Sequence, residues 1–521
     1  MLRGSSGFYT YAIFDRPAGW PALDIGEARV VFKTDPGLFN YMSISDTRQR
    51  FMPTNNDRNS GKKLAYPEAV LLTSPKNKAF KGEVDDKYMY SADVKENRLH
   101  GWMCFEHGVG FWVITPTDEF RTGGPIRQEL TSHVGPTSLA MFYSNHYAGI
   151  LRLHLEEGEP WKKVLGPVFI YLNSASSSDK NIVRTTLWND AKRELFKETK
   201  LWPYSFPASK DFPKADQRGT VFGRLLLRDK YLKGILVKGS EAYVGLANPG
   251  EVGSFQTETK GYQFWTQANA KGYFAIKNVL VGKYNLYAWV PGTIGDYKYE
   301  TEINVSPGSE IRLGNLVYYP PRAGPTLWEI GIPDRTAAEF YVPDPDPGLV
   351  NRLFINSTTD KFRQYGLWDR YSVLYPDHDL VYTVGSSDYQ KDWFFAHVTR
   401  KRDNGNYVPT TWSIVFNLAT VTRGTYTLRL ALASATIAEL QVRINNSTKE
   451  QPNFTTGQIG KDNAIARHGI HGLYWLYNVD IPANELVKGT NTIYLTQSRG
   501  GSPLVGLMYD YIRLEGPPGS S

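Results

Sequence analysis

Short apolar runs bounded by Gly, Pro or Asn dominate the first 170 residues. Arg29-Val-Val-Phe-Lys, Ala69-Val-Leu-Leu-Thr, Gly110-Phe-Trp-Val-Ile-Thr and Val168-Phe-Ile-Tyr-Leu are rich in β-branched and aromatic side chains. Such runs between turn formers predict strands. One stretch has another period. Leu187-Trp-Asn-Asp-Ala-Lys-Arg-Glu-Leu-Phe-Lys-Glu-Thr places apolar residues at 187, 188, 191, 195 and 196. That spacing predicts a helix lying on the sheet, ended by Trp202-Pro203.

From about Gln217 to Pro320 the strand signals become shorter and more evenly spaced. Gly219-Thr-Val-Phe, Ala242-Tyr-Val-Gly-Leu-Ala, Gly272-Tyr-Phe-Ala-Ile and Gly282-Lys-Tyr-Asn-Leu-Tyr predict a small sandwich of fibronectin type III size. Pro320-Pro-Arg-Ala-Gly-Pro325 reads as a linker. Beyond Leu327, runs such as Trp412-Ser-Ile-Val-Phe, Thr425-Tyr-Thr-Leu-Arg-Leu-Ala-Leu and Tyr509-Asp-Tyr-Ile-Arg-Leu predict an eight-stranded jelly roll. The expected domains are 1–214, 215–320 and 325–515.

Composition narrows the chemistry. The 521 residues include 33 Tyr and 13 Trp, and the formal net charge is +7. A basic surface attracts polyanions, among them acidic polysaccharides. Lys and Arg are dispersed, with no block of the kind that marks a nucleic-acid tail, and no nucleic-acid motif occurs. A single cysteine, Cys104, excludes an intrachain disulfide and multi-cysteine metal sites. No apolar run is long enough for a membrane helix. Glycosylation acceptor patterns at Asn304, Asn356, Asn445, Asn446 and Asn453 point toward secretion. Walker A, His-Glu-x-x-His, Gly-x-Ser-x-Gly and dinucleotide signatures are all missing.

The stretch from Leu99 to Tyr147 carries the strongest site signal. Four of the nine histidines, His100, His107, His133 and His146, fall there among aromatics and glycines. Histidine suits proton transfer near neutral pH, and aromatic faces suit sugar rings. In the third domain, Arg467-His-Gly-Ile-His471 invites a metal reading, but two histidines three apart supply too few ligands for a closed zinc site.

Tyr9-Thr-Tyr-Ala-Ile-Phe, Asp46-Thr-Arg-Gln-Arg-Phe-Met-Pro, Gly82-Glu-Val-Asp-Asp-Lys-Tyr-Met-Tyr-Ser, Leu99-His-Gly-Trp, the block from Gly108 to Tyr147, and Trp161-Lys-Lys-Val-Leu-Gly-Pro-Val-Phe-Ile-Tyr-Leu-Asn form a set. Together these segments resemble the plant-type rhamnogalacturonan lyases of polysaccharide lyase family 4. The resemblance implies a mainly β chain. A β-supersandwich catalytic domain, N-terminally truncated here, precedes a fibronectin type III-like sandwich and a C-terminal jelly-roll carbohydrate-binding-like domain. The first strands are then expected to lack neighbours and to leave apolar surface open.

The implied reaction is β-elimination at the α-1,4 bond between rhamnose and galacturonate of rhamnogalacturonan I, leaving a 4,5-unsaturated galacturonosyl end. The C5 proton of a uronate is removable only when the adjacent carboxylate is neutralised. A base then takes the proton and an acid protonates the departing oxygen. Lys87 matches the family's proposed base. It is expected on a strand, with Met89 and Ser91 on its face and Asp86 opposite. Arg48 and Arg50 match substrate-binding arginines and are expected to point the same way. Leu165 stands where fungal members carry a catalytic histidine. His146 and Tyr143 are therefore the candidate acids, and His100, His133 and Tyr147 are candidate substrate contacts.

No cofactor or metal ligand is implied; calcium could neutralise the carboxylate, though nothing in the sequence indicates it. The expected partner is rhamnogalacturonan I or pectin, bound by a secreted monomer of the cell wall, with no nucleic acid and no membrane. The jelly roll is expected to be an accessory unit in which Tyr474, Trp475, Arg467 and Arg499 contact pectin or the catalytic domain. The alternative is a catalytically inactive pectin-binding homologue. A glycoside hydrolase would need two carboxylates in one cleft.

Overall fold

The computed structural model describes residues 1–66, 68–231 and 237–519, with only the backbone described at 237–238. By contact, the chain divides into two compact units. One comprises Met1–Leu225, Gly239–Ala288 and Asp296–Leu316; the other comprises Leu226–Lys238, Trp289–Gly295 and Val317–Ser521.

The first unit is built on a six-stranded antiparallel sheet. Its order is Gly7–Arg16, Trp161–Ser174, Val109–Ile114, Leu99–Cys104, Tyr41–Ser43 and Gln49–Phe51. One face is covered by the helix Lys180–Leu201, whose Val183, Leu187, Trp188 and Ala191 pack on Leu99, Met103, Trp112 and Phe169. Asp179 caps the helix by accepting from the Asn181 N–H at 2.8 Å. The helix is longer than the apolar spacing predicts, because the Asp179 cap starts it about two turns earlier, with Val183 added to the packing face. Phe196, expected on the packing face, is exposed.

The other face is covered by the antiparallel pair Glu27–Lys33 and Thr137–Ser144. Between these layers lies a core of Val113, Phe142, Tyr143, Leu153, Leu165 and Ile170. The strand Gly7–Arg16 has one neighbour, Trp161–Ser174, and is half-buried over most of its length; Val31 and Leu23 are exposed. A smaller sheet of Lys62–Lys63, Val70–Leu71 and Val84–Asp85 leads into the segment that carries Lys87.

After the helix come two further sheets. One contains Arg218–Leu227, Tyr273–Leu280 and Glu310–Tyr318; the other contains Tyr243–Ala247, Phe264–Gln267 and Gly282–Trp289.

In the second unit, Thr425–Ala438 and Gly506–Glu515 are central to a six-stranded sheet, and Thr410–Leu418 and Gly489–Gln497 to a five-stranded one. Two sheets with buried inner faces match the expected sandwich, but the strands number more than eight. Short strands such as His397–Val398 and Phe454–Thr455 lack the long apolar runs that mark strands in sequence. No helix among the described residues is long and apolar enough to cross a membrane.

Candidate active site

Lys87 is not on a strand. It opens the 3₁₀ turn Lys87–Tyr90, because Asp86 caps that turn by accepting from the Tyr88 N–H at 3.2 Å. Asp86, an adjacent carboxylate that would otherwise favour a charged lysine, is thus directed into the backbone.

The turn is held at several points. Tyr90 Oη donates to Asp85 Oδ1 at 2.8 Å, and Arg58 ion-pairs with the same carboxylate. Tyr147 Oη donates to the Tyr88 carbonyl at 3.3 Å, and Thr131 Oγ1 to the Tyr90 carbonyl at 2.8 Å. Arg48 donates to the Ser91 carbonyl, where the turn ends. A backbone fixed this often leaves the lysine side chain as the part free to choose partners.

Those partners are His133 and Glu68. Lys87 Nζ lies 3.0 Å from His133 Nε2 and 3.1 Å from Glu68 Oε2, and 5.2 Å from the Tyr88 ring centre. Burial and the neighbouring Lys87 cation hold the His133 imidazole below the usual histidine range. His133 is therefore neutral at pH 7, and its Nε2 can accept a hydrogen bond from Lys87. His146 also lies beside Tyr88, with ring centres 6.0 Å apart. Its Nδ1 is 2.7 Å from Ser144 Oγ, and its Nε2 is 3.4 Å from Glu27 Oε2. Tyr88 thus neighbours both groups, the Lys87 nitrogen at 5.2 Å and the His146 ring at 6.0 Å from its ring centre.

Arg48 and Arg50 belong to the hairpin Tyr41–Phe51 and both reach the Lys87 segment, at opposite ends. Arg50 pairs with Glu83 at 2.9 Å and lies over the Phe80 ring. Arg48 also approaches Glu96 at 3.7 Å. Neither meets Asp46 or Asp57, the carboxylates nearest in sequence: Asp46 holds Lys192 and Trp188, and Asp57 caps the helix Asn55–Asn59.

Three of the expected site residues, His100, Tyr143 and Tyr147, are buried. His100 is buried, with Nε2 donating to the Leu139 carbonyl at 3.0 Å and Nδ1 without a partner. Burial, with Arg121 adding to it, pushes its pKa down to about 3. It is a neutral core residue. Tyr143 is fully buried among Phe142, Leu153 and Leu165, and burial followed by Glu258 raises its phenol far above the ordinary range. A phenol sealed in the core cannot protonate a departing sugar. Tyr147 is also buried and supports the Lys87 turn instead of facing a ligand. Leu165 is wholly internal, so no acid acts from that position.

Sequence reading missed Lys163. It is buried on the strand Trp161–Ser174, donates to the Gly261 carbonyl, and lies 5.4 Å and 5.2 Å from the Tyr143 and Tyr262 ring centres. Burial pushes its pKa down to about 7. A charged residue inside an apolar strand run was its only signal. In the second unit, Tyr474 also turns inward: its hydroxyl accepts from the Gly295 N–H at 3.1 Å and its ring lies under Arg335. No group of three or more His, Cys, Asp or Glu side chains among the described residues could hold a metal ion.

Comparison with known proteins finds matches in three segments of the chain. Residues 1–84 match the rhamnogalacturonate lyase family, 239–313 match polysaccharide lyase family 4 domain II, and 326–514 match domain III of that family. The chain is similar to a rhamnogalacturonate lyase of Dickeya dadantii, at 27% identity over 99% of this chain and 78% of that protein. It is also similar to a probable rhamnogalacturonate lyase B of Aspergillus terreus, at 24% identity over 94% and 77%. A rhamnogalacturonate lyase B of Emericella nidulans is 24% identical over 98% and 80%. A family 35 carbohydrate binding module from an environmental isolate matches 21% of this chain and 65% of its own, at 23% identity and a TM-score of 0.14, too low to bear on the fold. With all three matched segments drawn from one family in its domain order, the chain belongs to the rhamnogalacturonate lyases of polysaccharide lyase family 4.

Proposed function

We propose that the chain is a rhamnogalacturonan endolyase that cleaves the α-1,4 rhamnose–galacturonate bond by β-elimination, with Lys87 as base. The observation that carries this reading is the Lys87–His133 contact at 3.0 Å, on a turn whose end is tied to Arg48. A lysine takes a proton only as a free amine. His133, held neutral, accepts a hydrogen bond from the Lys87 nitrogen and so aims it toward C5. Arg48 and Arg50 are assigned to the uronate carboxylate, whose neutralisation lets negative charge develop as the C5–H bond breaks. The C4–C5 double bond then forms, the C4–O bond breaks, and the electron pair leaves on the glycosidic oxygen. His146, set between a hydroxyl and a carboxylate, is assigned as the acid that protonates it.

The same reading places the enzyme outside the cell, as a monomer acting on pectin without a cofactor. Its catalytic domain is 1–214, its second domain 215–320 and its carbohydrate-binding-like domain 325–515. Incubation with rhamnogalacturonan I tests it. An elimination creates the ultraviolet absorbance of an unsaturated uronide, whereas hydrolysis creates reducing ends without that absorbance.

A further inference from the structure

Within the first unit, a cavity of about 420 Å³ lies apart from Lys87, His133 and His146, none of which lines it. Its size is that of a small-molecule site. One wall comes from residues 94–98 and 116–125, the other from the strands Phe264–Gln267 and Tyr273–Leu280.

The two walls are locked together. Glu119 accepts from both terminal nitrogens of Arg218 at 2.8 Å each, in a nearly fully buried fork. The Gln263 N–H donates to the Glu119 carbonyl at 3.0 Å. Gln263 Oε1 accepts from the Gly124 N–H at 3.1 Å and from Trp265 Nε1 at 3.0 Å. The cavity is preformed, not a gap between mobile parts.

Its lining has two kinds of surface. Trp265 lies flat against its strand neighbour Gly245, where a Cβ would fall 2.3 Å from the indole. Phe255 packs on the same indole, with ring centres 4.7 Å apart, and the half-buried indole lines the cavity. Lys95, Arg98, Arg121 and Lys277 supply positive charge, against Asp118 and Glu119. Glu119 is taken by Arg218, and Asp118 sits 3.4 Å from Arg121 and 3.9 Å from Arg98. Lys95 is 2.8 Å from Tyr243 Oη and 4.0 Å from Asp93. The lining therefore keeps a positive balance.

The backbone departs from regularity where that charge is presented. Tyr273–Leu280 carries a bulge opposite Gly219–Val221, and Asn278 within it has φ 58°. Left-handed non-glycine residues are uncommon, and bulges re-aim side chains. Here the bulge brings two consecutive residues, the exposed Lys277 and Asn278, into one lining.

We propose that this cavity is a second saccharide site, taking a uronate residue with its ring against Trp265 and its carboxylate toward Lys277 and Lys95. Its assignment to the same polymer rests on the proposed lyase reading; the binding site itself does not. Sodium galacturonate, which has no bond to eliminate, tests it on the full chain. The readout is the Trp265 indole N–H resonance, assigned by its loss in Trp265→Phe. Galacturonate is expected to shift it saturably, galactose and acetate at least tenfold more weakly, and Lys277→Glu to weaken the galacturonate response by tenfold or more. The proposal is overturned if galactose acts as well as galacturonate, or if Lys277→Glu leaves the titration unchanged. A saturable shift in a chain that makes no unsaturated product would sink the lyase reading and leave this site standing; the reverse pair of results would sink this site alone.

Discussion

Lys87 Nζ lies 3.0 Å from His133 Nε2, across 46 positions of sequence. One partner must lose a proton before it can act, and the other is neutral by burial and by the charge of the first. This pairing makes His133 the residue that positions the Lys87 nitrogen and predicts its pH behaviour. Below the titration of His133, which lies under the ordinary histidine value, the imidazole is charged and cannot accept. Turnover should therefore fall as pH drops through that range. His133→Gln should lower kcat by about 10²-fold and remove this acid limb. A variant that keeps both the rate and the limb would show that His133 does not position the lysine.

Histidines buried as neutral rings make the fold acid-sensitive. His100 and His397 are both pushed down to about 3 by burial. In the unfolded chain they titrate near 6.5, so between pH 6.5 and 3 the unfolded state binds more protons. Stability is then present above pH 6.5 and lost as pH falls, by about 1.4 kcal/mol per pH unit for each ring. Chemical denaturation at stepped pH measures this slope. His100→Gln should flatten it; an unchanged slope would show that carboxylates alone set the acid sensitivity.

Lys163 acts at higher pH. Its folded value of about 7 is below the ordinary lysine value, so the unfolded chain holds the extra proton between about pH 7 and 10.5. Its contribution to stability rises with pH across that window and is smallest below pH 7. Lys163→Met replaces a buried cation by an apolar chain of similar length. It should raise the melting temperature most at low pH, by an amount equivalent to about 1–3 kcal/mol. A melting temperature lowered at every pH would show that the Gly261 carbonyl and the two aromatic rings outweigh desolvation.

Trp475 and Tyr477 lie on one face of the strand Trp475–Pro482, with rings parallel to within 5° and centres 6.4 Å apart. Two parallel, half-buried rings offer apolar surface suited to a sugar ring. Trp475→Ala should lower retention on insoluble pectin several-fold, far more than it lowers turnover on short fragments. Depletion of protein from solution by the polymer measures retention. Equal losses in both assays would join this surface to the reaction centre.

Where one face of an element is solvated, the sequence was readable. The helix Lys180–Leu201 betrays itself by Leu187, Trp188 and Ala191 against a charged opposite face. The strand Leu99–Cys104 is buried on both faces, so alternation does not say which way His100 points. The same holds for Tyr143 on Thr137–Ser144, where a bulge further shifts the register. Val84 to Ser91 reads as a strand until the Asp86 side chain competes for the backbone and closes a 3₁₀ turn. The Lys87–His133 pair has no local signal at all, since a turn and a distant loop bring it together.

The most direct measurement follows ultraviolet absorbance on purified rhamnogalacturonan I with the full chain and with Lys87→Ala side by side. The account predicts a steady rise with the unaltered chain and a rate lower by about 10³-fold or more in the variant, with its melting temperature and polymer binding retained. A Lys87→Ala protein that still makes the unsaturated product at near the full rate, or an unaltered chain that makes new reducing ends without absorbance, would contradict it.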